Sequence, residues 1–376
     1  MSVIGETTLH FSEEQAMLLD VAREFCRNRA PVDAARQQLE SEAGYDTALW
    51  DDMVELGWAG ISLPESVGGS ALGVAALVPV LESMGRSLVA APLLSSALAG
   101  QLLLRAGGES QCGDWLAEIA GGAVATVAWL ESGDWGDVSL ATELDAQYVM
   151  QGAKRFVPDA LAARYLLVPV MHRGEVALAV VESAQLSAQA LAPNTLVDLT
   201  KRAANVDFTG LQIEEQSVII GPQVAVALAD VRLLGALLVA AEATGSAAAC
   251  LDTVVGYLNT RKQFGKLIGS YQALKHPCVD ILLGVDAARS FIYHAGSVVG
   301  DGRLDRDAEI ACRMAKAQAC ETLAYAGDRA VQFHGGMGFT WECDAQLYLR
   351  RAQWSQQQFG DPQHHCRRLA ALLLDD

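Results

Sequence analysis

The chain contains 376 residues, of which 51% are hydrophobic and 19% are charged. A chain of this length typically forms two or three domains, and this composition excludes an intrinsically disordered protein. There are 27 lysine and arginine residues against 45 aspartate and glutamate residues, which gives a net charge of −18. An acidic chain does not bind nucleic acid or an anionic membrane through its overall field, so we predict neither partner.

The cysteines and the apolar segments indicate a cytoplasmic protein. The eight cysteines are scattered without CxxC spacing, so we predict neither a metal site nor a disulfide framework. The start of the chain shows no basic segment followed by an apolar run, as a secretory signal would. The longest uncharged run, residues 87–104, contains a proline and several polar residues, which favours buried helices over membrane insertion.

The first third of the sequence predicts helices. Apolar residues recur near helical spacing in residues 11–27, where Phe11 is the first of them and Ser12 is a candidate N-cap. Similar patterns follow in residues 46–56, 74–84 and 93–106. Glycines follow the segments 46–56 and 93–106, and helices commonly end at this residue. We therefore predict a helical domain over residues 1–121.

The pattern changes near residue 122. Short runs rich in β-branched and aromatic residues are separated there by turn residues, which predicts an antiparallel sheet or small barrel over residues 122–223. Long alanine- and leucine-rich segments then predict a helical bundle over residues 224–376. The predicted order of domains is therefore α, then β, then α.

The segment from Arg261 to Gly265 combines residue types that suit a phosphorylated ligand with a flat ring. It places two cations, an amide, the ring of Phe264 and a turn glycine within five residues. The planar fork of an arginine pairs with two phosphate oxygens at once, and an aromatic ring packs against a flat group. The alternative is a helix end, where the helix dipole favours cations.

A glycine-rich segment around Gly335 and Gly336 is the second motif. Three glycines within four positions let a backbone approach a ligand closely and offer N–H groups to an anion. The alternative is an ordinary turn between two helices.

Together, in this α–β–α order, the two motifs resemble those of the acyl-CoA dehydrogenase family over essentially the whole chain. The segments SLPESVGG and SYQALKH support the resemblance. The resemblance implies an acyl-CoA dehydrogenase-like fold: an N-terminal helical domain, a middle β-barrel and a C-terminal four-helix bundle, usually in a tetramer. It also implies an FAD enzyme that removes hydrogens from C2 and C3 of an acyl-CoA thioester and passes electrons to an external acceptor.

In that family the two motifs reach across a subunit interface to the FAD of a neighbouring subunit. The resemblance assigns to the partner's cofactor Arg261, Gln263, Phe264, Gln272, Gln332, Phe333, His334, Gly335 and Gly336.

The positions of the catalytic base depart from the family pattern. A family glutamate takes the α-proton of the substrate, and the matching residue here is Phe359. A second branch carries the base on the helix before the first motif, where this chain has Gly235. Two nearby carboxylates are weaker candidates. Asp361 has the alternative role of a helix N-cap before Pro362, and Glu242 has the alternative role of an ion pair inside the bundle.

The flavin-facing strands of the middle domain depart as well. Where the family has a serine that helps hold the diphosphate, this chain has Gly136. Where the family offers a hydroxyl to the flavin, this chain reads Phe156-Val157-Pro158, which lacks both that hydroxyl and a backbone N–H at Pro158. Hydrogen-bond donors tune a bound flavin, so their loss argues against a flavin in this chain's own middle domain.

These departures resemble the heteromeric α2β2 acyl-CoA dehydrogenases of bacterial steroid side-chain breakdown. In those enzymes one subunit supplies the catalytic glutamate and the other completes the cofactor site. We therefore predict a subunit of an FAD enzyme for a bulky acyl-CoA, with a paralogous partner. The alternatives are a self-sufficient homotetramer that uses Asp361 or Glu242 as base, and a non-catalytic scaffold.

Overall fold

The structure is a computed structural model that describes residues 13–41 and 43–374. The predicted helix start at Phe11 and Ser12 lies outside the described residues. The described residues of the N-terminal part form the α-helices α1 (Glu13–Arg29), α2 (Val32–Gln37), α3 (Thr47–Glu55), α4 (Leu77–Arg86), α5 (Leu93–Ala106) and α6 (Gly108–Ala120). The uncharged run at residues 87–104 is a turn followed by most of α5, and α5 is largely buried in the protein core.

Nine strands follow in the middle of the chain. They are β1 (Ala125–Val127), β2 (Glu143–Leu144), β3 (Met150–Gln151), β4 (Ala153–Pro158), β5 (Tyr165–His172), β6 (Glu175–Glu182), β7 (Leu191–Pro193), β8 (Ala203–Asp207) and β9 (Val218–Ile220). One sheet runs in the order β3-β2-β5-β6-β9 with β1 beside β5, and a second sheet runs β4-β8-β7. Most pairs are antiparallel, as predicted, but β1 and β2 pair in parallel with β5. The strands enclose their own apolar core around Phe208 and Leu166.

The C-terminal part is a helical bundle that carries a small hairpin. Its elements are α7 (Gln223–Leu258), β10 (Lys262–Gln263), β11 (Lys266–Leu267), α8 (Gln272–Val298), α9 (Arg306–His334), α10 (Ala345–Gln357) and α11 (Pro362–Leu374). Helices α7 to α10 pack as four neighbours, and α11 packs against α9. Within the described residues, α7 alone is long and apolar enough to cross a membrane, but 67% of its most apolar window is buried inside the protein, as in a core helix.

Helix α7 ties the bundle to the N-terminal helices at a close crossing with α4. A Cβ atom on Gly85 would collide with the backbone carbonyl of Glu242, and one on Gly245 would collide with that of Glu82. Glycine on both helices is therefore what lets the two backbones touch. The result is one continuous apolar core through both helical parts. The mostly helical fold with a central sheet region is as predicted, while the exact domain limits at residues 121 and 223 stay a prediction.

Candidate cofactor and substrate sites

The first motif forms a tight hairpin that projects from the end of α7. Strands β10 and β11 pair in antiparallel register, and the turn between them consists of Phe264 and Gly265, with φ of +52° and +80°. Two positive φ angles in a two-residue turn are typical of the type I′ hairpin. Glycine adopts this conformation freely, but a bulky residue is strained there, and such strain concentrates at functional sites. The turn leaves 89% of the Phe264 surface exposed.

The second motif lies at the end of α9, beside this hairpin. Gly335, with φ of +60°, ends the helix and starts a 3-10 turn. His334 is buried and stacks on Tyr257, with ring centroids 4.3 Å apart, and its Nδ1 lies 2.7 Å from the carbonyl of Ala330. Because Tyr257 belongs to the last turn of α7, the stack places both motifs at one end of the bundle. The contacts of the His334 side chain described here are thus with residues of this chain, and its assignment to a partner's cofactor stays a prediction.

The other residues assigned to a partner's cofactor are mostly on the surface. Phe333 is half-buried against the core. The exposed residues are Arg261, Gln263, Phe264, Gln272, Gln332, Gly335 and Gly336. Among the described residues, none of these side chains lines the cavities beside Phe359. Exposed cations, amides and glycine backbone are groups that can bind a diphosphate.

The two positions that the resemblance assigns to the family's base, Phe359 and Gly235, face one another. Phe359 lies in the loop between α10 and α11 with φ of +58°. Its ring covers Gly235, because a Cβ atom on that glycine would lie 2.5 Å from Cζ of Phe359. The same ring packs edge-on against Trp129, with centroids 6.0 Å apart. An aromatic ring therefore fills the space into which a carboxylate of either branch would project.

Aromatic side chains also fill the seam between the middle strands and this loop. Trp135 packs on Phe156 with ring centroids 5.6 Å apart. The cavities along the seam have volumes of about 20, 30 and 190 Å³. Cavities of the two smaller sizes hold about one water molecule, whereas ligand pockets usually start at about 300 Å³. A flavin ring has no room in this seam unless several of these side chains move.

The loop that would hold a diphosphate satisfies its own hydrogen-bond donors. Oδ1 of Asp134 accepts the N–H groups of Gly136 and Asp137, each at 2.9 Å. These bonds lower the pKa of Asp134, so this loop carries a negative charge beside those N–H groups. A Cβ atom on Gly136 would lie 2.5 Å from Nδ1 of His364, which leaves no room for the family's serine. The residues of this chain therefore do not fit FAD in its own middle domain.

A larger groove of about 750 Å³ opens on the other side of Phe359. It lies between residues 136–139, the start of α7 and the N-terminal ends of α9 and α11. Its lining includes the four arginines Arg232, Arg303, Arg313 and Arg368 and the carboxylates Asp137, Asp230 and Glu309. This size suits an organic ligand, and guanidinium groups suit its anionic parts.

Glu242 lies outside that groove, in a buried network of ions. Its Oε1 accepts hydrogen bonds from Nη1 of Arg351 at 2.7 Å and from Nζ of Lys201 at 2.8 Å. Arg351 also binds Asp198 at 2.5 Å and Thr200 at 2.6 Å. Burial alone would raise the pKa of Glu242, but the charges of Arg351 and Lys201 outweigh it and hold that pKa below its usual range. A carboxylate held ionised by two cations is a poor proton acceptor, so the geometry favours the ion-pair role.

Asp361 is also committed to a structural contact. Its Oδ1 accepts the backbone N–H of His364 at 2.6 Å, which caps the first turn of α11. Neither Asp361 nor Glu242 lines the groove beside Phe359. The geometry thus favours the N-cap role for Asp361 over that of a base.

Sequence reasoning missed the residues that close the seam. Arg232 donates to the carbonyls of Trp135 and Gly136 and so fixes the loop beside the seam. The order Asp134-Trp135-Gly136 is a recognisable signal for a turn in which an aspartate binds nearby N–H groups. The contact of Phe359 with Trp129 has no such local signal, because the two residues lie on different parts of the chain.

Both ends of the chain match models of one enzyme family. Residues 12–123 match the acyl-CoA dehydrogenase N-terminal domain, and residues 232–374 match the acyl-CoA dehydrogenase C-terminal domain. The chain belongs to the acyl-CoA dehydrogenase family.

Relatives cover almost the whole chain. The acyl-CoA dehydrogenase IpdE2 of Mycolicibacterium smegmatis is 32% identical, over 96% of this chain and 99% of that protein. The structure of the ChsE4-ChsE5 complex of Mycobacterium tuberculosis superposes with a TM-score of 0.86, at 23% identity, over 98% of this chain and 100% of that one. The Tcur3481-Tcur3483 steroid ACAD superposes with a TM-score of 0.83, at 26% identity, over 97% and 98% of the two chains.

Proposed function

We propose that this chain is one subunit of a heteromeric acyl-CoA dehydrogenase. Its paralogous partner supplies the catalytic glutamate and the flavin-facing strands, and this chain completes the partner's FAD site. The reaction is the α,β-dehydrogenation of a bulky acyl-CoA of the steroid side-chain type, in the cytoplasm, and the reduced flavin passes its electrons to an external acceptor.

The observation that carries the proposal is the ring of Phe359 over Gly235. The two places from which the family draws its base are brought into contact, and neither holds a carboxylate. Proton abstraction needs a base within hydrogen-bond reach of the substrate. This chain lacks that base but exposes the two motifs. It therefore functions in an assembly with a subunit that carries a catalytic base.

The relatives support both the partner and the class of substrate. One similar structure is described as a complex of two different chains, and another as a steroid enzyme named after two chains. The arginine-lined groove offers a place for the anionic part of a thioester ligand. Phe359 is one of the residues that line this groove.

The first experiment measures FAD per chain and native mass for this protein expressed alone and together with a paralogue that carries the glutamate. We expect little or no FAD on the chain alone, and an FAD-loaded heteromer with turnover on co-expression. In that heteromer, Arg261→Ala removes a cation from the cofactor's diphosphate and should release FAD. Lys262→Ala is the matched control, because it removes a neighbouring exposed charge that the family motif does not use.

Different outcomes separate the alternatives. An FAD content near one per chain in a homotetramer with turnover would contradict the proposal and restore the self-sufficient enzyme. Retention of FAD and full turnover by the Arg261→Ala heteromer would favour the non-catalytic scaffold, because the chain would then not touch the cofactor.

A further inference from the structure

The largest cavity along the aromatic seam lies between the middle strands and α10 and has a volume of about 190 Å³. It is here called the seam cavity. Its apolar walls include Trp135, Phe156 and Pro158 from the middle part of the chain and Trp354 from α10. An apolar cavity of about 150 Å³ is large enough to bind benzene. The seam cavity therefore has room for a molecule of one or two flat rings, although it is too small for a flavin.

The aromatic walls of the seam cavity are held in place by cations outside it. Nζ of Lys201 lies 4.8 Å from the centre of the Trp354 ring, and the same Nζ donates to Oε1 of Glu242 at 2.8 Å. The guanidinium of Arg155 lies 5.6 Å from the centre of the Phe156 ring. A ligand that enters walls which are already ordered loses less binding free energy to the ordering of side chains.

The charge at the seam cavity is already neutralised by hydrogen bonds. Within the described part of the chain, Arg202 is the one charged residue that lines this cavity. Its guanidinium donates to the backbone carbonyls of Gln38, Leu39, Ser41, Leu199 and Lys201. Burying an unpaired charge is costly. Because the cavity offers no free counter-charge, its geometry selects a neutral ligand.

One buried polar side chain at the seam cavity has no partner. Gln358, at the end of α10, is only 6% exposed and lines all three cavities of the seam. Among the residues that the structure describes, nothing hydrogen-bonds its side-chain amide. This amide carries two N–H donors and a carbonyl acceptor, and buried groups of this kind are normally hydrogen-bonded. The amide therefore indicates a partner that the chain itself does not supply.

We propose that the seam cavity binds a neutral aromatic molecule of one or two rings, whose hydroxyl, carbonyl or N–H group hydrogen-bonds the side-chain amide of Gln358. The rings of Trp135, Phe156 and Trp354 supply the apolar walls for its flat faces. This inference goes beyond the proposed function, because the ligand is neither the partner's FAD nor the acyl-CoA. The site is built from residues of this chain alone.

The test uses the full chain and two probes of the same ring shape in ligand-observed NMR titrations. Indole carries an N–H group that can bond Gln358, whereas indene lacks it. Indole should bind with a dissociation constant of about 1 mM or below. Gln358→Leu removes the amide and should reduce the preference for indole over indene by about 2- to 10-fold. Leu196→Trp places a large side chain in the cavity wall and should weaken the binding of both probes.

A matched variant keeps a general effect on α10 apart from the loss of the amide. Gln356→Leu makes the same change two residues away, at a side chain that lines none of the three seam cavities. It should leave the preference for indole unchanged. The urea midpoint of each variant chain shows whether it still folds.

Three results would overturn the proposal. If indole, phenol and nicotinamide all fail to show saturable binding, the cavity holds water only. If Gln358→Leu and Leu196→Trp both leave indole binding unchanged, the probe binds elsewhere. If the chain alone carries a full complement of FAD, the flavin occupies the seam, and this result alone of the three also contradicts the proposed function.

Discussion

The substitution Glu242→Gln separates the two roles of the one buried carboxylate that is a candidate base. In the structure Oε1 of Glu242 is shared by Arg351 and Lys201, and both Glu242 and Arg351 are almost completely buried. Breaking a buried ion pair by removing one partner costs about 3–5 kcal/mol. Glutamine keeps an acceptor oxygen, and Arg351 keeps Asp198. We therefore expect a loss near the lower end, about 3 kcal/mol in the free energy of unfolding.

The assay is urea unfolding of the chain, together with turnover of the assembled heteromer. Stability should fall by the stated amount, while the enzyme that assembles keeps its turnover number. Glu65→Gln is the matched control: it makes the same change on an exposed side chain and should stay within about 0.5 kcal/mol of wild type. A double-mutant cycle with Arg351→Met should give a coupling energy of about 0.5–3 kcal/mol, as for residues in direct contact.

The opposite result would refute the reasoning. If Glu242 is the base, its replacement removes a proton acceptor that contributes about 10²- to 10⁴-fold to the rate. A Glu242→Gln protein that is as stable as wild type but has no turnover would show that the carboxylate acts as the base and not as an ion-pair partner.

Three further predictions concern pH and the hairpin turn. Burial, assisted by Lys316 and Arg313, lowers the pKa of His365 to about 2. Below about pH 6.5 the unfolded chain therefore binds a proton that the folded chain does not, and the free energy of unfolding should fall by about 1.4 kcal/mol per pH unit. His365→Asn should flatten this slope in urea titrations at several pH values; an unchanged slope would contradict the burial argument. The carboxylates Asp198 and Glu242 of the buried network have lowered pKa values. Their contribution to the free energy of unfolding should therefore be complete above about pH 4.5 and be lost as the pH falls through the lowered pKa values. Glu242→Gln should lose less stability in acid than the wild type does. Gly265→Ala forces a side chain into a turn with φ of +80° and should destabilise the turn by about 1–2 kcal/mol. The heteromer should then retain FAD more weakly. Gly256→Ala, which adds a methyl group in open space on α7, is the control and should leave FAD retention unchanged.

The sequence predicted those features that depend on residues close together in the chain. The long helices follow from apolar periodicity, and the two motifs are continuous segments whose residue types define them. Their location at one end of the bundle was not predicted, and the structure shows it through the contact between the ends of α7 and α9. The missing carboxylates at Phe359 and Gly235 were also visible from the resemblance alone.

The features that needed the structure depend on contacts between distant segments. The resemblance assigned Phe359 and Gly235 to two separate base positions, and only the fold shows that one ring fills both. Arg351 has no sequence signal that distinguishes it from its neighbour Arg350, yet Arg351 is fully buried and Arg350 lies beside Trp341. Whether an arginine of α10 is buried or exposed depends on the face of the helix on which it lies. Tertiary packing determines which face points to the core.

Restoring the family's carboxylate should not by itself restore an enzyme in the isolated chain. Phe359→Glu places an acid beside Gly235 and removes a ring that lines the groove. The seam nevertheless stays filled by Trp135 and Phe156, and Asp134 still occupies the N–H groups that a diphosphate needs. These obstacles are independent of residue 359. We therefore expect the variant chain alone to bind no more FAD than wild type, measured by flavin absorbance. It should also show no turnover, measured by substrate-dependent dye reduction. The heteromer should keep the activity of the partner's site. FAD binding with turnover in isolated Phe359→Glu would mean that the ring alone had closed this site, and the aromatic seam and the Asp134 turn would then be no barrier to the cofactor.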